Sequence, residues 1–114
     1  MKQHFCHLNL RPFNLMKNGT KTVEMRLYDE KRKQFKVGDY LIFDNKSNPN
    51  ETITTQIIAL HVFKNFDELY KNFNKTKLGY LENEDAKPED MEEFYSKDEQ
   101  LKFGVVGIEI KLIK

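Results

Sequence analysis

The segment from residue 19 to residue 28, Gly-Thr-Lys-Thr-Val-Glu-Met-Arg-Leu-Tyr, most constrains how this chain can fold. From Thr22 to Tyr28, polar and apolar residues alternate at every position. This is the period of a β-strand, in which successive side chains point to opposite faces. One face is therefore predicted to be apolar and buried. The other face carries a row of polar side chains: Thr22, Glu24, Arg26 and Tyr28.

The polar face of this predicted strand, residues 21–28, brings several reactive groups together. Glu24 and Arg26 are two positions apart on one face, so we expect their Cα atoms roughly 6–7 Å apart. Lys21 falls on the apolar side by strict alternation. It joins the other two only if it precedes the regular strand or if a bulge re-aims it. The pattern leaves two interpretations open, a charged binding face and the solvated outer face of an edge strand.

Length and charge limit the partners of such a face. The chain has 114 residues, enough for a single domain over 1–114 with one core. Its formal net charge is only +1, which excludes a protein that coats nucleic acid through bulk positive charge. Any nucleic-acid site must come from local clustering. The chain has no Trp, so an aromatic residue that stacks on a base must be Tyr or Phe.

Cysteine and histidine usage argues against a disulfide and against a metal centre. Cys6 is the single cysteine, and its apolar neighbours predict a buried, inert thiol. His4, His7 and His61 lack the spacing of metal ligands. No glycine motif for triphosphates or dinucleotides occurs, so we predict no metal and no cofactor. We find no transmembrane-length apolar run and no signal peptide, which predicts a cytoplasmic protein without a membrane partner.

The remaining patterns indicate a small α+β fold. Strands are predicted at 4–10, 21–28, 40–43, 51–62 and 105–113. Helices are predicted at 12–17, at 66–73, at 88–95 and after the S-x-x-E capping box that begins at Ser96. Residues 45–50 are predicted to form a mobile polar loop. Few connections are long enough for a parallel crossover, so we predict a mixed β-barrel of about five strands with three or four short flanking helices.

Further polar residues are candidates for the same site. Strand parity places His7 and Asn9 together on one face of the first strand. Lys31, Arg32 and Lys33 form the densest positive cluster of the chain, which is interpreted either as a solvated turn or as a phosphate contact. Residues at predicted helix ends, Tyr95 and Ser96, complete the set.

The chemistry of the strand cluster suits recognition of a nucleotide. Glu24 lies near Lys21 and Arg26, so it should stay ionised and accept hydrogen bonds from an exocyclic base amine. Arg26 can donate two hydrogen bonds to a phosphate or to a carbonyl edge, and Lys21 can act as a point charge on a phosphate. Tyr28 could stack on a base. The same groups could instead serve as an acid–base pair, with Glu24 as base and Lys21 as proton carrier.

Gly19-x-Lys21-x-x-Glu24-x-Arg26 resembles the G-x-K-x-x-E-x-R motif of the ASCH domain family. The surroundings agree with the resemblance: a short helix with Pro12 precedes the motif, and Val105-Val106-Gly107-Ile108 forms the closing strand. The resemblance implies a PUA-like fold, similar in outline to YTH domains. It also implies a cleft, lined by Lys21, Glu24 and Arg26, that binds RNA or a modified nucleoside or nucleotide.

The resemblance also implies an alternative function as an enzyme. Some family members are similar to amidohydrolases that act on N4-acetylcytidine, and others to ribonucleases. In the amidohydrolase subgroup a Thr nucleophile stands at the motif position that Glu24 occupies here. Glu24 has no hydroxyl, so that mechanism cannot be carried over. If the protein is an enzyme, Lys21 and Glu24 are the catalytic candidates. A third hypothesis is that Glu24 and Arg26 form only a surface ion pair.

Overall fold

The structure, a computed structural model, describes residues 1–113 and contains one five-stranded sheet with short helices around it. The strands are β1 (Gln3–Leu8), β2 (Val23–Leu27), β3 (Tyr40–Asn45), β4 (Asn48–Phe63) and β5 (Val105–Leu112). The helices are α1 (Leu10–Lys17), α2 (Phe66–Lys71), α3 (Lys75–Leu78) and α4 (Lys97–Phe103). Two 3-10 turns lie at Arg32–Gln34 and Pro88–Glu93.

The strand order in the sheet is β1-β3-β4-β5-β2. β1 and β3 run parallel, and all other neighbours are antiparallel. The sheet curls into a half-barrel, so its two edge strands, β1 and β2, face each other across an open seam. The predicted α+β class, the mixed sheet of five strands and the short flanking helices are confirmed.

Two apolar clusters hold the two faces of the sheet. One cluster fills the inside of the curl, where Phe13 and Met16 of α1 pack against the strands. The second cluster lies between the outer face and the helices, where Phe66 and Leu69 of α2 cover Val23 of β2. Burial of this apolar surface is the main driving force for the fold. Because both faces are covered at β2, this strand has no solvated side of its own.

Of the two interpretations of the polar face of β2, the structure excludes the solvated outer face of an edge strand. Glu24 pairs across the ladder with Ile108, and Arg26 pairs with Val106. Cross-strand partners share a face, so both charged side chains point into the curl beside the inner apolar cluster. Glu24 is only 5% exposed. The hypothesis of a surface ion pair is wrong in its location, because this pair is buried.

Several predicted boundaries shift by a few residues. The expected loop at 45–50 is a tight turn, and β4 already begins at Asn48. The side chain of Asn45 causes this, since it accepts from Ser47 N–H and donates to Glu51. The first strand ends at Leu8 rather than residue 10, because the chain enters α1 directly after it. Residues 75–78, which follow the predicted helix at 66–73, form the single helical turn α3.

Among residues 1–113, no helix combines the length and the apolar character that a membrane crossing would require.

Asp39, a buried carboxylate that directly precedes β3, predicts sensitivity to acid. Asp39 accepts from His4 Nε2 at 2.9 Å and from the N–H groups of Lys2 and Lys36. The hydrogen bond from His4 is the main cause that holds the pKa of Asp39 below its usual value of 3.8. A lowered folded-state pKa adds stability above the unfolded pKa and loses it as pH falls through the folded pKa.

We therefore expect Asp39→Asn to melt at a lower temperature than wild type at pH 7. Below about pH 4, the difference in melting temperature between the variant and wild type should become smaller. Melting curves between pH 7 and pH 3 measure both effects. A variant that melts below wild type by the same amount at every pH would contradict the role of this carboxylate charge.

Candidate functional site

An open cavity of about 670 Å³ lies at the seam between β1 and β2. One side is formed by the end of β1 and the start of α1, and the floor by Lys21 and β2. The opposite wall comes from the segment 78–95, which crosses over the seam after α3. Its size is within the range of small-molecule sites, roughly 300–1,000 Å³. The cavity exists because the sheet does not close.

Lys21 lies beneath this cavity and is only 4% exposed. Its Nζ donates to the carbonyl of Val23 at 2.8 Å and to that of Leu78 at 2.9 Å, and it lies 3.3 Å from Glu24 Oε1. Three acceptors match the three N–H donors of an ammonium group. Burial lowers the pKa of Lys21 below its usual value of 10.5, and the charge of Glu24 opposes this. Lys21 precedes the regular strand, the condition under which the sequence predicted that it would join the cluster.

Glu24 lies between the two cations. Its Oε1 faces Lys21, and its Oε2 accepts from Arg26 Nε at 2.7 Å and lies 2.7 Å from Arg26 Nη2. Burial alone would raise the pKa of Glu24, but the charges of Arg26 and Lys21 outweigh it and hold the pKa below its usual 4.5. At neutral pH Glu24 is therefore an ionised, acceptor-only group inside the protein, as the sequence predicted.

Arg26 spans the seam. Its Nη2 also donates to the carbonyl of His7 on β1 at 3.0 Å. The pKa of Arg26 is raised above its usual value, because the charge of Glu24 outweighs the opposing effect of burial. A side chain thus connects the two edge strands at a point where no backbone ladder does. Cys6 lies nearby with the pKa of its thiol raised by burial, as expected for an inert cysteine.

Aromatic residues line the wall that faces this cluster. Phe94 is 53% exposed in the cavity wall, next to the half-buried Tyr95. Tyr80 also lines the cavity, and its hydroxyl is 2.7 Å from the hydroxyl of Tyr70 and 2.8 Å from Asp90 Oδ2. Burial raises the pKa of Tyr70 to about 12. These phenols therefore remain protonated at neutral pH.

The structure brings most, but not all, of the predicted site residues to the cavity. Lys21, Glu24 and Arg26 form its floor, and the sequence-predicted residues on its sides are His7, Asn9 and Tyr95. His7 is held at the rim by Asp44, whose two carboxylate oxygens lie 2.7 and 2.9 Å from Nδ1.

Tyr28 does not line the cavity, which corrects its place in the predicted site. Tyr28 lies on the inner face that Glu24 and Arg26 share, as parity predicted, but it follows the end of β2 at Leu27 and lies beyond the cavity. Its ring packs against the inner apolar cluster, with Lys33 Nζ 5.7 Å from its centroid. Ser96 also lies outside the cavity, because it caps α4 in the predicted capping box with Glu99.

The basic cluster that follows β2 also lies away from the cavity. Lys31, Arg32 and Lys33 are absent from its lining. Arg32 pairs with Asp29 at 2.9 Å, and Lys33 lies 3.5 Å from Glu30. Of the two interpretations of this cluster, the structure favours a turn held by local ion pairs.

Sequence reasoning missed several lining residues. Those on the far wall include Tyr80, Glu84, Asp90, Met91, Glu93 and Phe94; those on the near side include Arg11, Pro12 and Lys46. Arg11 forms an ion pair with Glu84 across the cavity mouth. No periodic pattern marks residues 79–87, which have no regular helix or strand. The exposed aromatic Phe94 beside Tyr95 was the one available signal.

Within the described residues 1–113, no group of three or more His, Cys, Asp or Glu side chains is arranged to hold a metal ion.

The half-open mixed sheet with flanking helices, and the charged cleft at its open edge, define a PUA-like domain. A family model described as the ASCH domain matches residues 7–114. The chain belongs to the ASCH domain family, as the motif at residues 19–26 predicted.

Solved structures agree with this assignment. The chain is similar to hypothetical protein PH0355, at 31% identity and a TM-score of 0.82, over 99% of this chain and 100% of that one. It is similar to protein PF0455 from Pyrococcus furiosus, at 27% identity and a TM-score of 0.72, over 98% of each chain. A mutant of ZmASCH from Zymomonas mobilis shares the fold, at 11% identity and a TM-score of 0.71, over 96% of this chain and 68% of that one. No curated protein sequence gives a match.

Proposed function

We propose that this ASCH domain is a binding module for RNA or a modified nucleotide, and that one nucleobase enters the cavity at the seam. The observation that carries the proposal is the floor of the cavity. An ionised carboxylate, Glu24, and a guanidinium, Arg26, lie side by side there, in a cavity whose far wall carries Phe94. The base is then held by polar groups at its edge and by an aromatic ring near its face.

The two charged groups complement the edge of a base. Glu24 accepts hydrogen bonds, and Arg26 donates them. Nucleobase edges present donors and acceptors next to each other, so one base can satisfy both groups. Lys21 and Arg26 are already engaged by Glu24 and by main-chain carbonyls, and this suits an uncharged base better than a bare anion. The near-neutral chain supports the same conclusion, since tight binding to a phosphate backbone depends on many Lys and Arg contacts.

The alternative is a small hydrolase acting on N4-acylated cytidine-type nucleosides, or a ribonuclease. Lys21 is the least suited part of such a mechanism, because its Nζ already contacts two carbonyls and Glu24. An acid–base role would require breaking those contacts. The buried position of Lys21 therefore supports binding over catalysis as the function of the motif.

Phe94 offers the direct test of the binding proposal. Phe94→Ala removes an exposed ring from the cavity wall and should leave the fold intact. Stacking of a base on an aromatic side chain contributes roughly 1–3 kcal/mol, so we expect affinity to fall by about fivefold to 150-fold. A thermal-shift screen with plain and modified nucleosides, nucleotides and short RNAs at fixed salt identifies the ligand, and calorimetry then measures both proteins.

The matched control is Phe5→Ala, which removes a phenylalanine that is 63% exposed and lies outside the cavity. Equal affinity in Phe94→Ala and Phe5→Ala would place the ligand elsewhere. Product analysis of every mixture covers the alternative function. Turnover of N4-acetylcytidine or RNA that is lost in Lys21→Met would favour the enzyme.

A further inference from the structure

The open edge of β2 presents backbone groups to the cavity. In an antiparallel ladder, residues alternate between those bonded to the neighbouring strand and those that point away from it. Ile110 N–H donates to the carbonyl of Thr22, and Tyr28 N–H donates to that of Gly104. The even-numbered residues of β2 therefore bond to β5. The N–H and C=O groups of Val23, Met25 and Leu27 point to the open edge.

The facing edge of β1 follows the same logic. Its ladder with β3 uses even-numbered residues, since the carbonyls of Lys2 and Leu8 accept from Tyr40 and Lys46. The backbone groups of His7 consequently point away from β3, toward the seam. The contact from Arg26 to the carbonyl of His7 confirms this direction.

The motif cations satisfy one carbonyl on each open edge. Lys21 Nζ donates to the carbonyl of Val23 on β2, and Arg26 donates to the carbonyl of His7 on β1. Within residues 1–113, the N–H and C=O of Met25 make no hydrogen bond outside the strand ladders. The same is true of the N–H of His7. Met25 and His7 both line the cavity. An unpaired strand edge is a template for further hydrogen bonding.

We propose that the ligand is recognised through these main-chain groups, with the N–H and C=O of Met25 as the central contact and the N–H of His7 opposite. This inference rests on the proposed function and specifies its recognition mode. The chemical class it selects is an uncharged planar heterocycle that carries a donor and an acceptor side by side, as in an amide or an amidine. Such a ligand bonds to the edge of β2 as a neighbouring strand would.

The same geometry decides which part of a nucleotide enters the seam. The carbonyl of Met25 and the carboxylate of Glu24 are both acceptors at the cavity floor. Phosphate oxygens are acceptors as well, so a phosphate at this position would leave the carbonyl of Met25 without a donor and would face the negative charge of Glu24. The base enters the seam, and the sugar and phosphate remain at the cavity mouth.

Amide hydrogen exchange on the ¹⁵N-labelled 114-residue chain tests this recognition mode. The probes are adenosine and cytidine, which carry amino-bearing bases, and ribose 5-phosphate, which carries no base. We expect a nucleoside to slow exchange of the Met25 amide at least tenfold, because its N–H gains a partner. The Leu27 amide is the matched control, since it points to the same edge but Leu27 does not line the cavity. Its rate should stay unchanged.

A backbone substitution gives the second measurement. Replacing Met25 by its α-hydroxy acid turns the amide N–H into an ester oxygen, and the ladder with β5 does not use this N–H. We expect nucleoside affinity to fall about tenfold, as for loss of one hydrogen bond, while the same exchange at Leu27 has no effect.

The outcomes separate the two proposals. Nucleoside binding that leaves Met25 exchange and the Met25 ester unaffected overturns main-chain recognition and leaves the proposed function standing. Protection of Met25 by ribose 5-phosphate as strong as by the nucleosides overturns the selection of the base. Both proposals fail together if the protein binds neither these probes nor any RNA of the thermal-shift screen at millimolar concentration.

Discussion

Glu24→Gln is expected to lower the free energy of unfolding by roughly 3–5 kcal/mol. The carboxylate is the counter-charge of both Lys21 and Arg26, and all three side chains are largely shielded from water. Glutamine keeps the shape but removes the charge, so two cations remain inside the protein without an anion. Breaking a buried pair in this way costs far more than breaking a surface pair.

Glu109→Gln is the matched control for this measurement. Glu109 lies on β5, opposite Val23, and pairs with His61 at 2.7 Å, but both side chains are about one-third exposed. We expect a loss of at most about 1 kcal/mol there. Urea unfolding of both variants gives the comparison. Equal losses would show that solvent screens the Glu24 cluster as effectively as it screens the exposed pair.

Lys21→Met is expected to destabilise the protein by roughly 3 kcal/mol and to loosen the far wall of the cavity. Methionine fills similar space but donates no hydrogen bond. The carbonyls of Val23 and Leu78 then lose their partner, and Glu24 keeps only Arg26. Because Leu78 ends α3, this loss weakens the attachment of the far wall to the β2 segment and leaves the hydrogen bond from Thr22 N–H to the carbonyl of Lys77. Urea unfolding measures the first effect, and faster amide exchange at residues 75–80 reports the second.

Lys77→Met provides the comparison for the second experiment. Lys77 is an exposed lysine on the same short helix, and its side chain makes no ion pair within residues 1–113. We expect its substitution to change stability by no more than about 0.5 kcal/mol. If Lys21→Met changed neither stability nor exchange relative to Lys77→Met, the hydrogen bonds of Lys21 would not stabilise the contact between β2 and α3.

The sequence predicted the elements of the fold because their signals are local. Alternation identified β2, and a capping box identified α4. The direction of the polar face of β2 is a different kind of information. It depends on the register that sets Glu24 opposite Ile108, a pairing across 84 residues that no local pattern encodes. An alternating strand normally has one solvent-exposed face, but the helices and the curl of the sheet cover both faces of β2.

The site was predictable in its motif and unpredictable in its far wall. Lys21, Glu24 and Arg26 could be grouped because they share one short segment. Tyr28 was misplaced because alternation predicts the face on which a residue lies, and not how far along the strand the cavity extends. Tyr80 and Phe94 reach the cavity through a segment held by single contacts, such as the hydrogen bond from Tyr80 to Asp90. Such contacts follow from tertiary structure alone.

The pairing of β2 with β5 also affects how the chain folds during synthesis. Residues 23–27 must find residues 105–109 across most of the chain, and such distant contacts are costly in entropy and slow to form. During synthesis on a ribosome, β2 emerges long before its partner and waits unpaired. A strand that carries Lys21, Glu24 and Arg26 tolerates this delay, because charges on an unpaired edge discourage aggregation between nascent chains. The charges that form the cavity floor thus also protect the chain before the floor exists.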